Sequence, residues 1–107
     1  MKYVWDEKKN AANIRKHGFD FRDAVAIFET AVVIREDRRK DYGEKRFVAI
    51  GAISGIVFTV VFTDRNEGER RIISVRRANR KERKVFAKSA GVEDRLGKIA
   101  PDDGSRD

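Results

Sequence analysis

Cysteine is absent from the 107 residues, and histidine, tryptophan, methionine and proline occur once each. Without cysteine there is no disulfide staple, no thiolate zinc site and no thiol nucleophile. One histidine nearly excludes the common nucleophile–base pairs. No spacing suggests a Ser-His-Asp arrangement, and His17 has no neighbouring ligands with which to form a standard metal site. No glycine-rich loop cradles a phosphate. No apolar run reaches spanning length and nothing reads as a signal peptide, so the expectation is a cytoplasmic protein with neither membrane nor metal.

What is abundant is positive charge. Lys plus Arg number 25 against 18 for Asp plus Glu, a net charge of +7. Residues 88–107 hold four basic and five acidic side chains, so the excess lies on residues 1–87. No segment joins a lysine-rich face to a long apolar one, which favours nucleic acid over a membrane surface. The segment from Arg70 to Arg83 threads arginines through the apolar run Ile72-Ile73-Ser74-Val75 and then opens a basic helix. Crowding cations around a core strand makes sense if that sheet faces a polyanion.

The length suits one domain, expected over residues 1–88, with 89–107 as a flexible tail. Tyr3 to Trp5 reads as a short strand or an apolar lead-in. Asp6 resembles an N-cap, Glu7 to His17 a helix, and Gly18 its stop. A second helix should start at Asp20, with Phe21, Ala24, Val25 and Phe28 as its apolar stripe. Ala31 to Ile34 reads as a strand, followed by a charged turn from Arg35 to Lys45. Strands Phe47 to Ile53 and Ile56 to Thr63 flank the hairpin signal Ser54-Gly55, and Arg71 to Arg77 follows the turn Asp64 to Glu69. Asn79 with Glu82 has capping-box spacing and launches a helix through about Lys88. The expected fold is α+β: two N-terminal helices, a four-stranded, mainly antiparallel sheet with one face partly open, and a C-terminal helix.

The chemistry left to such a chain needs only cations, a carboxylate and one imidazole. Metal-independent RNA cleavage fits, because RNA supplies its own nucleophile in the 2′-OH. Guanidinium groups stay ionised and grip phosphate through two donors. Glu44 and Arg46 alternate at a strand entry and should project to one side. Arg65 sits in the turn after the central strand. By simple alternation Arg76 shares a face with Ile72 and Ser74, and Arg77 shares the other with Ile73 and Val75. Each feature has a plainer reading. Asp41 to Arg46 can be a solvated hairpin tip, His17-Gly18 a helix end with its cation near the negative pole, and Arg76 an ion-pair partner of Glu44 or Glu82.

Trp5-Asp6-Glu7, Lys9, Asn13, Lys16-His17-Gly18, Phe21 and Ala24 resemble the N-terminal signature of BrnT-type toxins. Gly43-Glu44, Arg46, Ile50-Gly51, Thr63, Arg65, Arg71 through Arg76, Ala78 and Glu82-Arg83 continue the match in order. The resemblance runs from about residue 3 to residue 86 and implies the RelE-like ribonuclease toxin of a bacterial type II toxin–antitoxin pair, one that inhibits translation. It implies a ribbon-helix-helix antitoxin of the BrnA type as partner, with operator DNA bound only through that antitoxin, and no cofactor. It carries over His17, Glu44, Arg46, Arg65 and Arg76 as candidate catalytic residues. In that assignment Arg65 and Arg76 stabilise phosphate charge, Glu44 or His17 moves protons, and Arg46 binds or orients substrate. Lys16, Arg77, Arg80, Lys81 and Phe86 are expected to contact RNA. Family members commonly have alanine where this chain has Val75, and tyrosine where it has Phe86, whose ring cannot donate a proton.

The alternatives are a basic nucleic-acid-binding module without catalysis, and an interaction protein whose arginines meet an acidic partner. The first predicts salt-dependent binding with intact RNA. The second predicts a tight protein complex and no RNA binding by the chain alone.

Overall fold

A computed structural model describes residues 1–90. The tail expectation, from residue 91 on, lies outside the described residues.

Five strands, not four, form one mixed sheet. They are β1 (Lys2–Val4), β2 (Val33–Asp37), β3 (Arg46–Ile53), β4 (Ile56–Arg65) and β5 (Glu69–Arg77), in the order β1-β5-β4-β3-β2. The meander β2 to β5 is antiparallel, as its short turns require. The additional strand is the Tyr3 segment, which lies parallel to β5 through Lys2↔Glu69, Tyr3↔Arg70 and Val4↔Arg71. The short strand expected near Tyr3 to Trp5 exists, at Lys2–Val4, but nothing local announces that it joins this sheet beside a strand so far along the chain.

Helix α1 (Glu7–His17) begins at Asp6, whose carboxylate accepts from the amides of Lys8 at 2.8 Å and Lys9 at 3.3 Å. It ends where Gly18 adopts φ 83°, a conformation natural to glycine, and its N–H reaches the Ile14 carbonyl at 2.8 Å. Its inward face is polar. Asn10 and Asn13 are the buried residues of the helix. The Asn13 amide donates to the Val75 carbonyl at 2.9 Å and accepts the Val75 N–H at 3.2 Å. Beyond the three pairs with β1, this one side chain takes the place of a strand beside β5.

The second helix is shorter than its stripe suggests. Residues Phe21–Ala24 (α2) are α-helical, and Val25–Glu29 continue as a 3₁₀ turn. Three residues per turn align Phe21, Ala24 and Ile27, which are 0%, 3% and 0% exposed, whereas Val25 and Phe28 are only half-buried. These residues pack on Ala49, Val60, Phe62, Ile72 and Val75 to make the core. Gly51 lets the turn approach β3: a Cβ there would lie 2.8 Å from Val32 Cγ1 and 3.3 Å from Ile27 Cβ.

A bulge in β5 corrects the alternation argument. Ile72 pairs with Phe62 and Ser74 with Val61, leaving Ile73 as an extra residue. Ile72 and Val75 therefore share the core face, and Arg76 shares the opposite face with Ser74, not with Ile72. Helix α3 (Arg80–Ala90) crosses to that opposite face, where Glu82 accepts the Thr59 hydroxyl at 3.0 Å.

Candidate functional site

The face turned away from α1 and α2 is read from the pairing. Arg35, Val48, Val61 and Ser74 lie in one row across it, and Val33, Ile50, Thr59 and Arg76 in the next. Asp37 opposite Arg46, and Thr63 opposite Arg71, continue the face towards the other end of the strands. Arg65, opposite Glu69, lies two residues beyond Thr63 on the same side. Arg46, Arg65 and Arg76 thus share one face, as a polyanion-facing sheet requires. The far end is roofed by α3, where Ile50 and Thr59 are fully buried.

Arg76 is the most tightly held of these cations. Its Nη1 and Nη2 donate to the two Glu82 oxygens, each at 2.8 Å, and Nη1 also donates to the Arg77 carbonyl at 3.2 Å. Glu82 is fixed in turn by the Asn79 amide at 2.8 Å, while Asn79 caps the Glu82 N–H at 2.9 Å. Burial pushes the Glu82 carboxyl up, but Arg76, the Asn79 amide and Thr59 outweigh it and bring it to about 2. The Glu82 hydrogen bonds raise Arg76, against burial and the neighbouring charge of Arg39. The capping box and the Arg76 ion pair, two separate expectations, are one device.

Glu44 and Arg46 meet at 3.4 Å, and the Arg46 guanidinium stacks on Tyr42 at 4.2 Å from the ring centre. The Tyr42 hydroxyl donates to Asp37 at 3.2 Å. Asp37, with its side chain 3% exposed, also receives Arg39 Nε and Nη2, each at 2.9 Å. The hydrogen bonds from the Arg39 side chain lower the Asp37 carboxyl to about 2 despite burial, and Asp37 raises Arg39 in return.

Arg35, Glu36, Asp37, Arg38, Arg39 and Tyr42 do not stand out in the sequence, where the segment from Arg35 reads as a turn. In the fold, β2 runs through Asp37. The spacing that singled out Glu44 and Arg46 recurs twice, in Glu36 with Arg38 at 3.2 Å and in Asp37 with Arg39. Applied evenly, it would have found them.

Two clefts follow this segment. One, of about 350 Å³, is lined by Arg35 through Arg39, Val48, Val61, Arg76 and Glu82. Its neighbour, of about 540 Å³, is lined by Glu36 through Tyr42 with Glu44 and Lys45. They share Glu36 through Arg39, so the Arg76 and Glu44 sites adjoin. Among the described residues no three histidine or acidic side chains converge as a metal-binding group.

The other named residues lie apart from these clefts. His17 is half-buried, one turn beyond Asn13 on the inward face of α1, and no hydrogen bond or ion pair joins it to Glu44, Arg46, Arg65 or Arg76. Lys16 is exposed on α1. Arg77 is exposed, and its pairing with Phe58 puts it on the face opposite Arg76. Lys81 is exposed on α3, and Arg80 and Phe86 are half-buried there.

The model of the BrnT family, ribonuclease toxins of type II toxin–antitoxin systems, matches residues 5–82. The chain belongs to the BrnT toxin family. The crystal structure of the Brucella abortus ribonuclease toxin BrnT is 34% identical, covering 74% of this chain and 97% of that one with a TM-score of 0.58. No curated protein matches the chain significantly. Membership brings a ribonuclease activity, an RNA substrate and an antitoxin partner, as the type II BrnT family implies. The match runs from just after β1 into the start of α3, and so includes both clefts.

Proposed function

We propose that this BrnT-family chain cleaves RNA without a metal ion, through attack of the 2′-OH on the adjacent phosphate, and thereby inhibits translation. The observation that carries this reading is the single sheet face bearing Arg46, Arg65 and Arg76, with Glu44 beside Arg46. Arginines fixed by carboxylates are pre-oriented donors for the charge that develops on phosphate in the transition state. Arg76 serves that charge, Arg65, about 20 Å further along the face, holds another phosphate, and Arg46, stacked on Tyr42, orients the chain of the substrate. Glu44 is the carboxylate placed to take the 2′-OH proton. The leaving oxygen takes its proton from water on this face, since His17, half-buried on the inward side of α1, lies away from the reacting phosphate. Phe86, half-buried on α3, supplies no proton. The antitoxin is a small ribbon-helix-helix protein of the BrnA type that covers the arginine face and alone contacts operator DNA. The chain acts in the cytoplasm, where its substrate is made; among the described residues no helix is long and apolar enough to cross a membrane.

The test is cleavage of end-labelled RNA by the purified protein in EDTA, beside Arg76→Ala. Cutting by the parent, 2′,3′-cyclic phosphate ends, and loss in the folded variant are the expected results. Cleavage that needs Mg²⁺, or intact RNA both alone and with translating ribosomes, would overturn the reading.

A further inference from the structure

We infer that the cleft between β2 and α3 is a phosphate subsite in which Arg39 and Arg76 grip one RNA phosphodiester from two sides. Each does so through the N–H donors that its own carboxylate leaves free. The inference deepens the ribonuclease reading and rests on RNA being the ligand of this face.

A guanidinium has five N–H donors in a fixed plane, grouped as an end pair on Nη1 and Nη2 and a side pair on Nε and Nη2. Arg76 spends its end pair on Glu82, and the remaining Nη1 hydrogen goes to the Arg77 carbonyl. Among the described residues its side pair has no acceptor. Arg39 is the complement: Nε and Nη2 are spent on Asp37, with the Tyr42 hydroxyl beside them, which leaves Nη1 as the donor turned outward. Both residues line the same cleft, and the charge of Arg39 is felt at Arg76. Two like charges on one cleft gain from an anion between them. A phosphodiester, with two unesterified oxygens, can accept the Arg76 fork on one side and Arg39 Nη1 on the other.

The surroundings suit that ligand. Val48 and Val61 form an apolar floor, which strengthens interactions above it by excluding water. Arg35, exposed on the adjoining row, adds a cation with no acidic partner among the described residues. Neither anchor can drift: Asp37 is buried and held by Tyr42, and Glu82 is held by the α3 cap. Arg39 is therefore a substrate-binding residue, and Asp37 a positioning residue acting through it.

The experiment compares wild type with Arg39→Ala, Arg39→Lys, Asp37→Asn and the charge control Arg15→Ala. Arg15 is exposed on α1, away from the cleft. Each is checked for folding by circular dichroism, then titrated with a 2′-O-methyl RNA oligonucleotide that cannot be cut, at several salt concentrations. Cleavage of the matching ribo-oligonucleotide gives KM and kcat. Arg39→Ala is expected to weaken binding and raise KM about ten-fold, with kcat changed far less than by Arg76→Ala, and to reduce the salt slope by about 1. Arg39→Lys rescues only in part, because an ammonium cannot hold Asp37 through a fork and keep a donor fixed outward. Asp37→Asn follows Arg39→Ala in KM. Affinity and salt slope in Arg39→Ala equal to those of Arg15→Ala overturn the inference, with cleavage by wild type still standing. So does a loss confined to antitoxin binding, which would make the cleft a protein contact. Wild type that binds the oligonucleotide through Arg39 but cuts no RNA keeps the subsite and overturns the ribonuclease reading.

Discussion

Arg70 and Arg76 stand six residues apart on one strand and do opposite work. Arg70 lies on the helix-covered face, its guanidinium 4.7 Å from the Phe28 ring centre and 4.3 Å from that of Phe62, with Asp64 at 2.7 and 3.0 Å. Its side chain is 15% exposed, and its charge closes the end of the aromatic core. Arg76 lies on the other face, 35% exposed, beside a cleft and with its Nε and Nη2 side pair uncommitted among the described residues. Both are paired arginines, so pairing alone does not distinguish structure from chemistry. What separates them is the company beyond the ion pair: two aromatic rings that seal one guanidinium, against a cleft shared with further cations at the other.

The sharpest test removes each in turn. Arg76→Ala is expected to lower the cleavage rate about 10²–10³-fold. The fold should survive, since Glu82 keeps Thr59 and the Asn79 amide as donors. Arg70→Ala should do the reverse. It opens the aromatic stack and orphans Asp64, costing about 2 kcal/mol in a denaturant titration, while the folded fraction cleaves at the parent rate. Equal loss of activity in both variants at matched folding would erase the contrast. Glu82→Gln sits between them: the cap geometry survives but the charge-assisted bonds weaken, so the rate should fall about ten-fold and stability by about 1 kcal/mol. The smallest effect is in acid. Glu82 falls from 4.5 to about 2 on folding, so the stability it contributes is complete above pH ~4.5 and fades as pH drops towards 2. Unfolding curves recorded across that window should lose this slope in Glu82→Gln.

Much of this was legible beforehand, for local reasons. The limits of α1 follow from Asp6 and Gly18, and the three hairpin strands from β-branched runs between turn residues. Glu44 with Arg46, and Asn79 with Glu82, were visible from spacing alone. The parts that were not legible depend on distant partners. The bulge at Ile73 changes which face Arg76 occupies, yet nothing in Ile72-Ile73-Ser74 announces an unpaired residue. The pairing of β2 with β3 turns an apparent charged loop into a strand carrying Arg35 and Asp37. The sheet face on which α3 settles is decided by Thr59, more than twenty residues away.

The amide of Asn13 carries a consequence for the life of the folded chain. A sheet edge with unpaired N–H and C=O groups invites a second molecule to add its own strand. Along the stretch of β5 that β1 does not reach, Asn13 occupies both groups of Val75, so that residue offers a newcomer nothing to bind. The opposite edge, β2, has no such plug, and there Arg35, Glu36 and Asp37 put charge where a polymerising neighbour would have to lie. One border is silenced by saturation, the other by repulsion. Because the plug belongs to the first helix and the strand it guards to the end of the meander, neither can loosen alone. Peeling away the N-terminus exposes the seed for aggregation.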